Sequence, residues 1–484
     1  MSTTLLLDGS GLSCDTIVEA TRTRRAVGVT AQARERVSLA HQAALEMIAH
    51  RAVYGRTTGV GANSQVPVQG DVAGHGLRLL RSHAGSAGDP ISRDQTFATL
   101  VIRLNQIAAG GSGVRPSVMD VLTEALNNDT LPVIHKYGAL GTGDLTALAE
   151  TGLTFAGERA WDRAQLPPLR MGTSDALAFM SSNAATLAEA VLGHHELVGL
   201  SRAAIVIAAL SFTAVDGNRE AFASAISRIT PQPGAVQVAR CLRGLLGTHG
   251  RPPTRIQDPF SYRAFPQVHG PVTDSLTNLQ SVLESFVNAT SENPLIDVEA
   301  ADAIHHGGFH TSYVGLALDG LRLAAAQSAS LGLSRLGTLT NSKFTSQADF
   351  LTDGSGGSSG VLVLEYTSAA ALGRLRMLAA PASIQMVSVS LGAEEDASFS
   401  TLAAQLTTEF IEPYRIVLAC ELVAAVRALR MRGTTPAMGE GLRTVFELAQ
   451  ARLPRPTEDR DLAPDIAIAC DVVPTFADEA CLSW

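Results

Sequence analysis

Two lysines, Lys136 and Lys343, are all that the 484 residues contain, and acidic side chains outnumber basic ones for a formal net charge of -9. A chain with no basic patch has little with which to neutralise phosphates, so nucleic-acid binding is not expected. Aromatic residues make up only 5%, and with Ala and Leu abundant the composition favours helix over sheet. The cysteines are few, odd in number and scattered (Cys14, Cys241, Cys420, Cys470 and Cys481), with no CxxC spacing. That pattern excludes a zinc site or disulfide framework of the usual spacing and predicts reduced thiols. No basic-then-apolar leader precedes Asp8 and Asp15, so a cytoplasmic location is expected. The apolar run at 197–214 is interrupted by Arg202 and by serines, which predicts no membrane span.

What the sequence has in quantity is helical periodicity. Apolar residues recur at i, i+3, i+4 and i+7 through 31–52, 95–109, 175–213, 273–288, 312–333 and 361–379, and each run predicts a helix. Another run, 398–432, contains Pro413, which is expected to kink or split it. The stretch around 316–326 is apolar around most of its circumference, as in a helix buried on several sides within an oligomer. The expected fold is all-α, with a loop-rich helical region over 1–215 and a long-helix bundle over 216–484, which can be one continuous domain.

Between the helices lie segments dense in Gly, Pro, Asn and Ser, where binding and catalytic groups concentrate. His305, His306 and His310 lie close together, but no acidic residue at a ligand spacing accompanies them, so no metal site is expected. The Gly/Ser segment at 353–360 has no lysine and no strand before it, and reads as a flexible connection rather than a phosphate loop.

Several motifs occur in a telling order: Tyr54-Gly55, Thr58-Gly59-Val60-Gly61, Ser82-His83-Ala84, Arg103-Leu104-Asn105 and Gly143-Asp144-Leu145. They continue with Gln257-Asp258-Pro259, Arg263, Asn288, Glu292-Asn293-Pro294, Gly308-Phe309-His310 and Glu394-Glu395-Asp396. In this the chain resembles the aromatic amino acid ammonia-lyase and aminomutase family, which includes the histidine and phenylalanine ammonia-lyases. The resemblance implies an all-α homotetramer with active sites assembled from loops of three chains and a small carboxylate-bearing substrate. It also implies an electrophilic methylidene-imidazolone, formed when an internal Ala-Ser-Gly cyclises and loses water.

The same resemblance implies a role for particular residues. Tyr54 is the acid/base and Glu395 an acidic group near the substrate amine. Arg263 is the carboxylate fork, and a guanidinium suits that task. His83 holds the substrate side chain, and Gln257, Phe260, Phe309 and Ser181 line the pocket. The chain departs from the family at the cofactor-forming loop, where Gly141-Thr142-Gly143 is one residue short and lacks the serine. Cyclised, Thr142 would carry an ethylidene, more hindered and less electrophilic than a methylidene. Phe260 stands where the family has tyrosine, with Tyr262 near enough in sequence to compensate, and Ser181 and Gly308 stand where it has asparagine. The expectation is a divergent lyase-like enzyme with no cofactor. Two readings stay open beside it: a parent ammonia-lyase or aminomutase with a Thr142-derived electrophile, and a non-catalytic ligand- or partner-binding homologue.

Overall fold

The computed structural model describes residues 4–248, 251–433 and 437–480. Cys481 lies outside them. The chain divides into two compact units, one built from Met1–His195, Leu279–Leu318 and Pro381–Gln405, the other from Glu196–Asn278, Asp319–Ala380 and Leu406–Trp484. A division near residue 215 is therefore drawn differently in the structure. The long helices Ala184–Ala214, Phe265–Val287, Ser312–Leu339 and Ser400–Met431 each contribute residues to both units.

In the first unit, polar residues set the helix starts. Ser13 and Thr30 accept the N–H groups of Thr16 and Ala33 and so begin Cys14–Thr23 and Ala31–His50, satisfying donors that a first helical turn leaves unpaired. Ser92 and Gln95 form a reciprocal capping box at the start of Arg93–Ala108. From Thr96 to Ala108 that helix is buried throughout, which places it in the core of the unit. The fold is mostly helical, but three two-stranded ladders accompany the helices among the described residues. Leu5–Leu7 pairs in parallel with Val27–Val29, and Ala87–Pro90 and Leu295–Asp297 pair antiparallel with His135–Tyr137 and Asp302–Ile304.

The core of the second unit contains a buried ion pair. Arg335 donates through Nε and Nη2 to Glu421 at 2.5 and 2.8 Å, and through Nη1 to the Ser261 carbonyl. Ser211 completes the carboxylate's partners, so two charges that are costly to desolvate are fully bonded.

Three expectations need correction, and the apolar stretch at 175–214 needs comment. The periodic run at 175–213 is two helices, Asp175–Met180 and Ala184–Ala214, because Ser182 turns its hydroxyl to the Ala184 N–H and starts a new helix. Pro413 does not split its run, since one helix spans Ser400–Met431 with Phe410, Tyr414 and Val417 buried around the proline. Packing outweighs the lost hydrogen bond there. The apolar stretch Asp175–Ala214 is long and apolar enough to cross a membrane by length and composition, yet 78% of its most apolar window is buried inside the protein. The Gly/Ser segment at 353–360 is clasped rather than loose. Asp459 accepts the Ser358 hydroxyl and the Ser359 and Gly360 N–H groups at 2.7 to 2.9 Å.

Candidate functional site

The first unit carries Tyr54, His83, Gly141, Thr142, Gly143, Ser181, Phe309 and Glu395. Tyr54 sits on a half-buried loop that Arg56 anchors. The Arg56 guanidinium is buried and donates to the Ser112 carbonyl at 2.6 Å and to the Ser174 hydroxyl. Burial pulls that arginine down to about 10. Gly55, between tyrosine and arginine, has φ +65°, and a Cβ there would run into Leu177.

The Gly61 N–H donates to Tyr54 Oη at 2.7 Å, and the Tyr54 N–H donates to His305 Nε2 at 3.3 Å. Burial raises the phenol above its ordinary 10, the Gly61 N–H opposes the rise, and the Glu394 carboxylate adds to it. The loop's own cation, Arg56, is turned to Ser112 and Ser174 and is not among the influences on the phenol.

Glu395 is exposed, in an extended stretch before Ser400–Met431 rather than at a helix start. Its neighbour Glu394 is the acid that reaches the tyrosine loop. A Cβ on Gly61 would lie 3.2 Å from Glu394 Oε1, and Ser390 Oγ accepts the Ala62 N–H at 2.9 Å. The sequence marked the acidic triplet but gave no means to choose the member that faces Tyr54.

Gly141 occupies a cage of hydroxyls. Its carbonyl accepts from Thr311 Oγ1 at 2.8 Å, Ser398 Oγ at 2.9 Å and the Thr311 N–H at 3.3 Å, and Ser400 Oγ bonds Thr311 Oγ1 at 2.7 Å. With φ +88°, a Cβ at this position would collide with Ser398 Oγ and lie 2.6 Å from Ser400 Oγ and 2.9 Å from the Ser400 nitrogen. Gly143 donates its N–H to Asn183 Oδ1 at 3.0 Å, and Asn183 Nδ2 donates to the Phe309 carbonyl at 2.7 Å. Sequence reading missed Thr311, Ser398, Ser400 and Asn183. They meet this loop across as many as 257 residues of chain, beyond any local signal.

Asp144 begins the helix Leu145–Phe155, yet its side chain bonds elsewhere, to the Thr186 N–H and hydroxyl at 2.7 Å each. It is fully buried, and desolvation raises it from 3.8 to about 6.

Ser181 is buried and accepts the Asn293 N–H at 3.2 Å. Arg103 fixes the helix just before it, donating to the Ala178 and Phe179 carbonyls at 2.5 and 2.8 Å and to Glu292 at 2.7 Å. His83 ends the helix His75–His83 with Nδ1 2.9 Å from the Leu79 carbonyl. Only an N–H can bond a carbonyl, so this contact is made by a protonated Nδ1. Phe309 is half buried, and its ring centroid lies 6.4 Å from that of His306. Both nitrogens of His306 are engaged, Nε2 donating to the Glu292 carbonyl and Nδ1 accepting the Gly308 N–H. Among the described residues no group of three or more potential metal ligands occurs.

The second unit carries Gln257, Phe260 and Arg263. Gln257 and Arg263 line one cavity of about 430 Å³ with Asp258 and Gln267. The Arg263 guanidinium lies 4.3 Å from the ring centroid of the exposed Phe260, and its buried Nε bonds no other group. A fork stacked on an aromatic ring with a donor unspent suits a carboxylate. Tyr262 does not compensate for Phe260. It is buried, its hydroxyl bonds Thr338 at 2.6 Å, and burial holds its pKa far above the ordinary value.

The aromatic amino acid lyase family model matches residues 12–451, and the chain belongs to that family. It is similar to proteins named histidine ammonia-lyase, 31% identical to that of Treponema denticola (96% of each chain covered) and 32% to that of Gloeobacter violaceus (96% and 94%). Its fold is that of the Treponema denticola ergothionase, described as an ergothioneine degrading enzyme (TM-score 0.92, 24% identity, 98% and 99% covered). The tyrosine aminomutase of Streptomyces globisporus shares it too (TM-score 0.91, 24% identity, 99% and 98% covered). The chain is accordingly an ammonia-lyase-like lyase.

Proposed function

We propose that the protein catalyses elimination from, or conjugate addition to, a carboxylate-bearing, amino-acid-like substrate, with Tyr54 as acid/base and without a methylidene-imidazolone. The seat of Gly141 carries this reading. The family's group forms from Ala-Ser-Gly, its exocyclic methylidene coming from the serine side chain. Here the first position has no room for a Cβ and the second is Thr142. With a threonine in place of the serine and a loop one residue short, the residues present do not fit the group.

The remaining chemistry belongs to the side chains. Tyr54 as phenolate takes a β-proton, the C–H electron pair becomes the C=C bond, and the leaving group departs with the C–N pair. Addition is the reverse. The Gly61 N–H stabilises the phenolate oxygen. General-base help contributes about 10² to 10⁴ in rate, too little for an unactivated amino acid. The substrate therefore brings activation of its own, through a better leaving group, a carbonyl or conjugation. A cationic leaving group would be drawn to Glu394 and Glu395 and would favour the phenolate. In the proposed homotetramer the Arg263 cavity of one subunit supplies the carboxylate fork for the Tyr54 loop of another.

The second reading, parent activity with a Thr142-derived electrophile, is favoured by the three donors on the Gly141 carbonyl, which polarise it toward attack. Intact mass separates the two, since cyclisation with dehydration removes two waters and the first reading requires an unmodified chain. Ultraviolet screening of amino-acid-like substrates for unsaturated products then tests catalysis. If Tyr54→Phe turns over every such substrate as fast as the parent, the acid/base role is wrong. Ligand binding with no turnover at all would support the non-catalytic reading instead.

A further inference from the structure

A cavity of about 570 Å³ opens in the second unit, between the C-terminal part of Ser400–Met431, the helix Glu440–Arg452 and the turn that follows it. None of the residues discussed above as candidate site residues lines it. Its volume lies within the range of small-molecule sites. Five arginines and two carboxylates line it, an excess of three positive charges in a chain whose net charge is -9.

The arginines divide by what they bond. Arg427 and Arg430 are spent on backbone carbonyls, Arg427 on Leu351 and Thr457, Arg430 on Pro454, Leu453 and Gln450. Arg460 is neutralised by Asp465 through two bonds of 2.6 Å. Arg443 and Arg455 are exposed at the mouth and have no ion-pair partner among the described residues. The other carboxylate, Glu447, lies one helical turn beyond Arg443 on the same helix. Besides burial, which comes first, Arg455 depresses Arg430 and Arg460 depresses Arg427, while neighbouring carboxylates oppose both shifts. Asp465 offsets part of this on both arginines, and Asp459 and Asp353 on Arg427, which leaves Arg443 and Arg455 at the cavity as the cations without an ion-pair partner among the described residues, where an anion would be drawn. Phe446, Leu453 and Met438 give the cavity an apolar side.

We infer that this cavity binds a small organic acid, its anionic head at Arg443 and Arg455 and its apolar body against Phe446. The inference is independent of the proposed reaction. The test uses the full-length Arg263→Ala protein, which removes the carboxylate fork of the candidate active site, and calorimetry with cinnamate, cinnamamide and inorganic phosphate. Saturable cinnamate binding that weakens with added salt is expected, at least tenfold weaker for cinnamamide and for phosphate. Adding Arg443→Gln and Arg455→Gln should weaken cinnamate a further tenfold or more, and Glu447→Gln should tighten it. Both arginines are exposed, so unchanged thermal unfolding of the double variant would show that folding is intact. Failure of cinnamate to bind, equal binding of the amide or of phosphate, or binding untouched by the two arginine changes overturns the inference.

Discussion

The carboxylate of Asp144 accepts both the N–H and the hydroxyl of Thr186 at 2.7 Å, so the residue after the glycine loop caps a different helix, Ala184–Ala214. The loop and the start of that helix are thereby joined, with the carboxylate at the positive end of the helix.

That joint makes stability pH-dependent. A carboxyl raised from 3.8 to about 6 holds its proton more tightly in the folded chain than in the unfolded one. Its contribution is most favourable below pH 4 and falls as the pH rises to 6, by on the order of 3 kcal/mol. Asp144→Asn should flatten that part of the stability curve while losing one acceptor for the helix start. Urea unfolding of both proteins at pH 4, 5, 6 and 7 measures the difference. Parallel curves would remove Asp144 as the cause.

Gly141→Ala should destabilise by about 2–4 kcal/mol, combining a left-handed backbone with overpacking against Ser398 and Ser400. Ser398→Ala in the same chain should recover part of the loss. Denaturant midpoints of the single and double variants give the coupling.

If Tyr54 works as a base, the rate should climb with pH through 10, because burial keeps the phenol protonated at neutral pH. Glu394→Gln removes a charge that raises the phenol, so the ascending limb should move to lower pH. A limb that stays in place in the pH–rate profile would separate Glu394 from Tyr54.

Arg263→Lys should lower kcat/KM by about 10- to 100-fold, the worth of a charged hydrogen bond or two, because an ammonium has no fork. Phe260→Ala should cost less, about threefold to tenfold, since it removes only the ring beneath the guanidinium. Steady-state kinetics on any substrate found by the ultraviolet screen compares them.

The helices and the family were legible because both are written locally, in periodicity and in short ordered motifs. Asn105 and Asn288 illustrate what a motif residue does once folded. Asn105 bonds Gly9, Val287 and Asn288, and Asn288 bonds both backbone groups of Leu12. Illegible were the partners chosen across long sequence distances: Glu394 rather than Glu395 beside Tyr54, Ser398 over Gly141, Asp459 under the Gly/Ser segment. The split at Pro413 did not occur for the complementary reason, since a local rule yielded to packing that no local window contains.

The hydroxyl cage also bears on how sequences of this kind can change. Thr142→Ser alone leaves the loop one residue short, and alanine at 141 alone meets Ser398. A chain with this loop therefore reaches an Ala-Ser-Gly tripeptide only by an insertion, an exchange and the removal of a hydroxyl more than 250 residues away. Alanine at 141 taken first would meet Ser398 and Ser400, so the order of those changes is constrained by the cage.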